Sequence, residues 1–371
     1  MGRKKTSGQP RCSCHEKRSK CLWEAWGPGM AGAPARFGKQ GILQDKDRTM
    51  EYIKQSIFTI KEPTVLSFGK FDGLHRGHEL LMGYMAGRKK EQEGLKAVVF
   101  TFDIPPKEQV AGAKAKVLTT NQEKVKLFAG AGIDYLIECP FTREIMCMEP
   151  EAFIADTVTS LNVKYMVVGT DFRFGHKRRG DYRMLEAFAP QYGYEVKVVE
   201  KMQEDGRDIS STFVREEIAA GNMEKANWLL GYEFFVEGKI LHGKKMGKSV
   251  LGIPTINLLP PEDKLLPPYG VYVTVTEHQG RQYQGITNVG CKPTVGGGNP
   301  IGVETHLFGV SEDMYGEEVK VKFLSRVREE RKFENLDALK AQMEQDIHYG
   351  REYFGTSGET PVGGKGRIPW I

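Results

Sequence analysis

Residues 64–82 read TVLSFGKFDGLHRGHELLM. The run Thr64–Phe68 is almost continuously apolar, without the polar alternation of a strand that faces water on one side. Such a strand is expected in a sheet covered on both faces. A glycine-rich turn follows. Residues 78–92, HELLMGYMAGRKKEQ, then place Leu80, Leu81, Tyr84 and Met85 on one side of a helix. His75 and His78 therefore fall where a strand gives way to a helix. Free N–H groups and a partial positive charge at that end favour phosphate. Gly69, Gly73 and Gly77 would let backbone approach a ligand closely. Two imidazoles in this place can donate hydrogen bonds to a phosphate whose charge grows during displacement. Paired histidines alone would read as surface or capping groups. H-x-G-H at a strand-to-helix turn is more specific and points to nucleotidyl transfer.

The same alternation continues outward. KAVVFTFD (96–103), YLIECPF (135–141), YMVVGTDF (165–172) and EVKVVEKM (195–202) read as strands. NQEKVKLFAGAG (121–132), EPEAFIADTVTSL (149–161) and DYRMLEAFAPQYG (181–193) read as helices. The expectation is a parallel sheet with helices on both faces. Helical residues 209–231 close this region. After Gly231 the pattern changes to short strands divided by Gly and Pro, as in an antiparallel barrel, followed by one helix over 336–354. The expected organisation is a disordered basic extension over 1–49, an α/β domain over 50–232, a β domain over 233–355 and a loose tail over 356–371. Met50 is a candidate natural start.

The 371 residues carry a net charge of +5, but it is unevenly spread. Eleven of 53 Lys and Arg and four of 48 Asp and Glu fall in residues 1–49, a net of +7 there and −2 in the rest. The body thus lacks the electrostatic footprint of a nucleic-acid binder. No apolar run reaches the ~18 residues of a membrane span. Among six cysteines, Cys12, Cys14 and Cys21 lie near His15 without the paired spacing of a zinc site, and Cys139, Cys147 and Cys291 are scattered. Reduced thiols and a cytoplasmic location are expected.

Further stretches carry chemistry. GTDFRFGHKRRGD (169–181) supplies a turn with glycine, aromatic and basic groups. ISSTFVR places Ser210, Ser211 and Thr212 at a helix start with Arg215 one turn inside, all suitable phosphate donors, although the pattern is also a common helix cap. In the barrel, LGIPTIN puts Thr255 and Asn257 on one strand face. Their oxygens suit Mg²⁺ alongside phosphates. Glu304, in VETHLF, can act as a general base. GKKMGKS (243–249) resembles a P-loop, but only three residues separate Gly243 from Gly247. Turn and strand follow, not a helix, so it is not that fold's phosphate loop.

Taken together, GKFDGLHRGH, GTDFRFG, ISSTFVR, GIPTIN, GVYV, TNVGCKPTV, VETHLF and MYGEEVKV resemble, in order and spacing, the bacterial bifunctional riboflavin kinase/FMN adenylyltransferase family, from about Glu51 to about Phe354. The resemblance implies a Rossmann-like nucleotidyltransferase domain and a riboflavin-kinase-type antiparallel β-barrel with a C-terminal helix. It implies ATP as co-substrate, Mg²⁺, and riboflavin, FMN and FAD as substrates and products. It implies that His75 and His78 stabilise adenylyl transfer to FMN. Gly69, Phe71, Asp72, Gly73, Gly77, Ser210, Ser211, Thr212 and Arg215 would bind that ATP. Asp171, where the family often has Asn, would join Phe172, Phe174 and Gly175 in the flavin and nucleotide site. In the kinase, Gly243, Gly247, Gly252 and Pro254 would line ATP. Thr255 and Asn257 would hold Mg²⁺, and Glu304 would activate the ribityl hydroxyl. KSVLG has one residue more between Gly247 and Gly252 than the commonest bacterial form, which leaves the contacts of Lys248 and Ser249 open. The expected partners are small molecules, without nucleic acid or membrane, and the expected state is a monomer or weak homo-oligomer. Another H-x-G-H transferase, for example one acting on NMN, would leave the barrel unexplained. A flavin-binding regulator would not need the intact catalytic set.

Overall fold

The computed structural model describes residues 41–45, 48–55, 58–103, 116–241, 253–291, 301–310 and 314–356. In chain order the strands of the first half are β1 (Gly41–Asp45), β2 (Arg48–Ile53), β3 (Thr64–Phe68), β4 (Lys96–Asp103), β5 (Tyr135–Pro140), β6 (Val163–Gly169), β7 (Arg173–Phe174), β8 (Gly180–Asp181), β9 (Glu195–Val199), β10 (Gln203–Glu204) and β11 (Arg207–Asp208). Its helices are α1 (Arg76–Glu91), α2 (Asn121–Gly130), α3 (Arg143–Met146), α4 (Pro150–Ser160), α5 (Tyr182–Tyr192), α6 (Ser211–Ala220) and α7 (Met223–Leu230).

Seven strands form one sheet in the order β1-β2-β5-β4-β3-β6-β9. All neighbours run parallel except β1, which is antiparallel to β2. Successive residues feed opposite faces. Val65, Val99, Leu136 and Val167 pack with Leu81, Met82 and Met85 of α1 and Val125 and Phe128 of α2. Leu66, Val98, Ile137, Met166 and Val168 pack with Phe153, Ile154 and Val158 of α4 and Leu185 of α5. Two-sided burial is why these strands read as apolar runs. The strand order reverses about β3, which has β4 on one side and β6 on the other. Ligands of open α/β sheets bind beyond the strand ends at such a switch, and the histidine turn begins there.

The sheet also reaches back into the segment expected to be disordered. Gly41–Asp45 pairs in register with Arg48–Tyr52, so ordered backbone begins before Met50. The short pairs β7/β8 and β10/β11 and the single-turn α3 were likewise not expected, being too short for a periodic signal.

The second half contains β12 (Phe235–Leu241), β13 (Ile256–Leu258), β14 (Gly270–His278), β15 (Arg281–Cys291), β16 (Ile301–Leu307), β17 (Glu318–Glu329) and α8 (Leu336–Thr356). The six strands close a barrel in the order β12-β13-β16-β15-β14-β17, with every pair antiparallel. Alternation is again visible. Tyr272 joins the interior, whereas Val271, Val273 and Val275 face outward, where Ile286, Leu324, Tyr353 and Phe354 cover them. Arg328 holds α8 to β17 through paired bonds to Asp346, Nε to Oδ1 at 2.9 Å and Nη2 to Oδ2 at 2.8 Å.

The expected boundary near residue 232 is not a boundary of packing. One core unites Phe213, Val214 and Ile218 of α6 and Met223, Ala226, Leu229 and Leu230 of α7 with Phe234, Tyr272, Val321 and Phe323 of the barrel. Asn227 fastens the join. Its amide donates to the Phe323 carbonyl at 2.7 Å, and its side-chain oxygen accepts from the Phe234 N–H at 2.7 Å.

Candidate functional site

The turn after β3 is bent sharply. Phe71, Gly73 and Leu74 have φ of 48°, 87° and 31°. Positive φ is costly for residues with a side chain and persists only where surroundings enforce it. Phe71 is fully buried, lying edge-on to Phe128 and 5.1 Å from the His78 ring. Asp72 Oδ1 accepts from the N–H groups of Leu118 (2.9 Å) and Thr119 (3.1 Å). Thr119 Oγ1 accepts from Gly73 N at 3.2 Å, and the Tyr232 hydroxyl donates to the Gly73 carbonyl at 2.8 Å. The turn is thus gripped from three separate segments.

His75 is the N-cap residue of α1, and its carbonyl accepts from His78 N at 2.7 Å. The two imidazoles stack with centroids 3.8 Å apart and planes 21° apart. Both Nδ1 atoms are buried without a hydrogen-bond partner. Burial pushes His75 down from 6.5 to about 4, against the pull of Asp72. Burial, then the charges of His75 and Lys124, holds His78 well below its ordinary value. Both rings are neutral at neutral pH.

Two of the glycines are also required by packing within the turn. A Cβ on Gly73 would lie 2.7 Å from Leu118 Cδ1, and one on Gly77 3.2 Å from the His75 ring. These positions make room for protein side chains that shape the turn. At the start of α6, Ser210 caps the helix by accepting from Phe213 N at 3.2 Å. Ser211 Oγ donates to the Asp72 carbonyl at 2.7 Å, and the Arg215 guanidinium pairs with Asp72 Oδ2. The structure therefore brings Asp72, His75, His78, Ser211 and Arg215 together, with Arg215 engaged by a carboxylate.

Asp171 is largely exposed and pairs with Lys201 at 3.1 Å. Phe172 stacks on Phe174 at 5.4 Å and on Phe68 at 5.3 Å. Phe68 also meets Phe100 at 5.6 Å and Phe153 at 5.5 Å, and Phe102 meets Phe100 and Phe141, each at 5.3 Å. Gly175 packs against Pro150, with φ 70°. Of this aromatic array at the ends of β3 and β4, Phe172 and Phe174 were legible in the sequence, whereas Phe68, Phe100, Phe102, Phe141 and Phe153 were not. The signal for Phe100 and Phe102 was their alternation in KAVVFTFD.

On the barrel, Thr255 Oγ1 donates to Glu304 Oε1 at 2.6 Å. Asn257 and Asn288 lie opposite Glu304 on the strands either side of it. Val303 and Thr305 are fully buried, so Glu304 between them turns away from the barrel interior. His306 Nδ1 lies 2.8 Å from the Pro254 carbonyl. Asn288, within TNVG, was not singled out as a site residue, and only its place in that motif marked it. Gly243, Gly247, Lys248, Ser249 and Gly252 lie outside the described residues, as do Cys12, Cys14, His15 and Cys21. Among the described residues Cys139, Cys147 and Cys291 are free, no group of His, Cys, Asp and Glu is arranged to hold a metal, and no helix is long and apolar enough to cross a membrane.

The family described as FAD synthetase matches residues 57–213, and riboflavin kinase matches residues 230–354. The bifunctional riboflavin kinase/FMN adenylyltransferase of Escherichia coli (strain K12) is 38% identical over 300 residues, covering 80% of this chain and 94% of that protein. The Bacillus subtilis (strain 168) protein of the same description is 32% identical over 296 residues, covering 78% and 92%. A crystal structure described as a macrolide-efflux protein from Streptococcus pneumoniae superposes with a TM-score of 0.72 at 27% identity, covering 81% of this chain and 98% of that one.

Proposed function

Since the chain belongs to the bifunctional riboflavin kinase/FMN adenylyltransferase family, we propose that its two halves divide two successive ATP-dependent steps between the sites described above. The protein phosphorylates riboflavin to FMN and adenylylates FMN to FAD, releasing pyrophosphate. The observation that carries the residue assignment is the stacked pair of neutral imidazoles at the head of α1, at the switch point of the sheet.

In the adenylylation step an FMN phosphate oxygen attacks the α-phosphorus of ATP, and the bond to pyrophosphate breaks. A neutral imidazole has one N–H. Leaving the partnerless Nδ1 of each ring unprotonated is cheaper than burying an unpaired donor, so the proton belongs on Nε2. Two Nε2–H groups then meet the developing charge on the α-phosphate without reorganising. The N-terminus of α1 adds its partial positive charge. Arg215 reaches the departing phosphates by exchanging Asp72 for them, and Ser210, Ser211 and Thr212 lie at the same helix start. Phe172, half-buried where Phe68 and Phe174 are buried, presents the accessible edge of the phenylalanine array to an isoalloxazine ring, with Asp171 and Gly175 beside it.

In the kinase half, Glu304 accepts the proton of the ribityl hydroxyl as it attacks the γ-phosphorus. The bond from Thr255 fixes the carboxylate's direction. The hydroxyl of Thr255 and the amide oxygen of Asn257 are hard oxygen donors beside that carboxylate, and they fit Mg²⁺. Bound there with ATP, Mg²⁺ would neutralise phosphate charge. The need for ATP and, among the described residues, the free thiols of Cys139, Cys147 and Cys291 accord with a cytoplasmic enzyme acting on small molecules.

The test is to incubate the protein with riboflavin, ATP and Mg²⁺ and resolve the flavins over time. FMN should appear first and FAD after it. Absence of either product from folded protein would refute the assignment.

A further inference from the structure

Lys264 belongs to the barrel half, in the connection between β13 and β14. Its side chain is 1% exposed, and its Nζ lies over the Phe234 ring at 4.6 Å. The ammonium donates to Glu123 Oε2 of α2 at 2.7 Å and to the Leu118 carbonyl at 2.7 Å. Backbone bonds reinforce the contact. Val117 N donates to the Asp263 carbonyl at 2.7 Å, and Leu265 N donates to the Val117 carbonyl at 2.8 Å. The barrel half therefore clamps residues 117–118 of the other half.

What the clamp holds is specific. The Leu118 carbonyl and the Thr119 N–H are the two ends of one peptide group. Lys264 engages the oxygen, and the N–H donates to Asp72 Oδ1 at 3.1 Å. Hydrogen bonds at both ends of a peptide polarise it and strengthen one another. Asp72 in turn pairs with Arg215, accepts from Ser211 through its carbonyl, and lies three residues before His75. Stability alone is a poor account of such a buried ion pair, because apolar replacements are often neutral or stabilising.

We propose that Lys264 is a positioning residue for adenylyl transfer, contributed by the kinase half to the other half's site through the Leu118–Thr119 peptide. The reading rests on the assignment of adenylylation to His75 and His78. It implies that the adenylylation site is incomplete without the barrel.

The experiment uses the full chain and three variants: Glu123→Gln, Lys264→Met, and the double variant Lys264→Met/Glu123→Gln, which buries no lone charge. Riboflavin phosphorylation reports folding, because Lys264 lies outside the kinase machinery. FMN adenylylation is resolved into kcat and KM. In both Lys264 variants kcat for adenylylation should fall roughly tenfold or more, the scale expected from misplacing a reacting group. KM should change less, and the kinase rate should hold. Glu123→Gln keeps the Lys264 bond to Leu118 and should retain adenylylation. A double variant with full kinase activity and adenylylation within about twofold of wild type would overturn the inference. So would equal losses of adenylylation in Glu123→Gln and the double variant, which would show that the ion pair matters only for stability. Wild-type protein that makes FMN but never FAD would instead overturn the functional reading beneath it.

Discussion

Replacing His75 by Gln should make the protein more tolerant of acid. In the folded chain burial holds His75 at about 4, while the unfolded chain titrates at the ordinary 6.5. Between those values the unfolded state binds a proton that the native state refuses. Stability from this group is complete above about pH 6.5 and is lost as pH falls towards 4. That displacement is worth about 3 kcal/mol in full, most of it already lost by pH 4.5. Gln cannot titrate, so the variant escapes this loss whatever its own stability at neutral pH. Urea unfolding of both proteins at about pH 7.5, 6.5, 5.5 and 4.5 measures the difference directly. It should stay level above pH 6.5 and then move in the variant's favour. A difference constant within about 0.5 kcal/mol over that range would refute the claim that His75 is buried as the neutral ring.

Other substitutions separate the sites. His78→Ala should lower FMN adenylylation by roughly 10²-fold or more and spare riboflavin phosphorylation. Glu304→Gln should do the reverse, with a loss of about 10²–10⁴; a flavin time course with each substrate supplied separately reads both. Phe172→Ala should raise KM for FMN by roughly fivefold, about 1 kcal/mol of ring stacking, and leave KM for riboflavin unchanged in initial-rate assays. Gly73→Ala, at φ 87° and 2.7 Å from Leu118 Cδ1, should cost at least about 1 kcal/mol in urea unfolding; an unchanged midpoint would show that the turn relaxes freely.

The sheet was legible because each strand is buried twice. Val65 and Leu66 face opposite cores, and a run such as TVLSF has no polar gap to confuse with another element. The hairpin of β1 and β2 was not legible, because it sits at the sheet's edge and its sequence is interrupted by the wholly charged run DKDR (45–48). The histidine pair was visible as a motif, but its neutrality was not. That follows from Phe71 and the stacked rings, which only the folded turn brings together. Arg215 looked like a free phosphate donor because Asp72, its partner, lies 143 residues away. Lys264 gave no signal at all, since a lysine in PEDKLLPP reads as surface until Glu123 is placed against it.

The shared core of α6, α7 and the barrel has a consequence for anyone who would split the chain into its two catalysts. A cut after Leu230 strips helix cover from Phe234 and Phe323. A cut ahead of Ile209 carries Ser210, Ser211 and Arg215 away with the barrel, out of reach of Asp72. No scissors position gives each fragment both its own interior and its own reagents, so the two enzymes have one party wall and neither owns it outright.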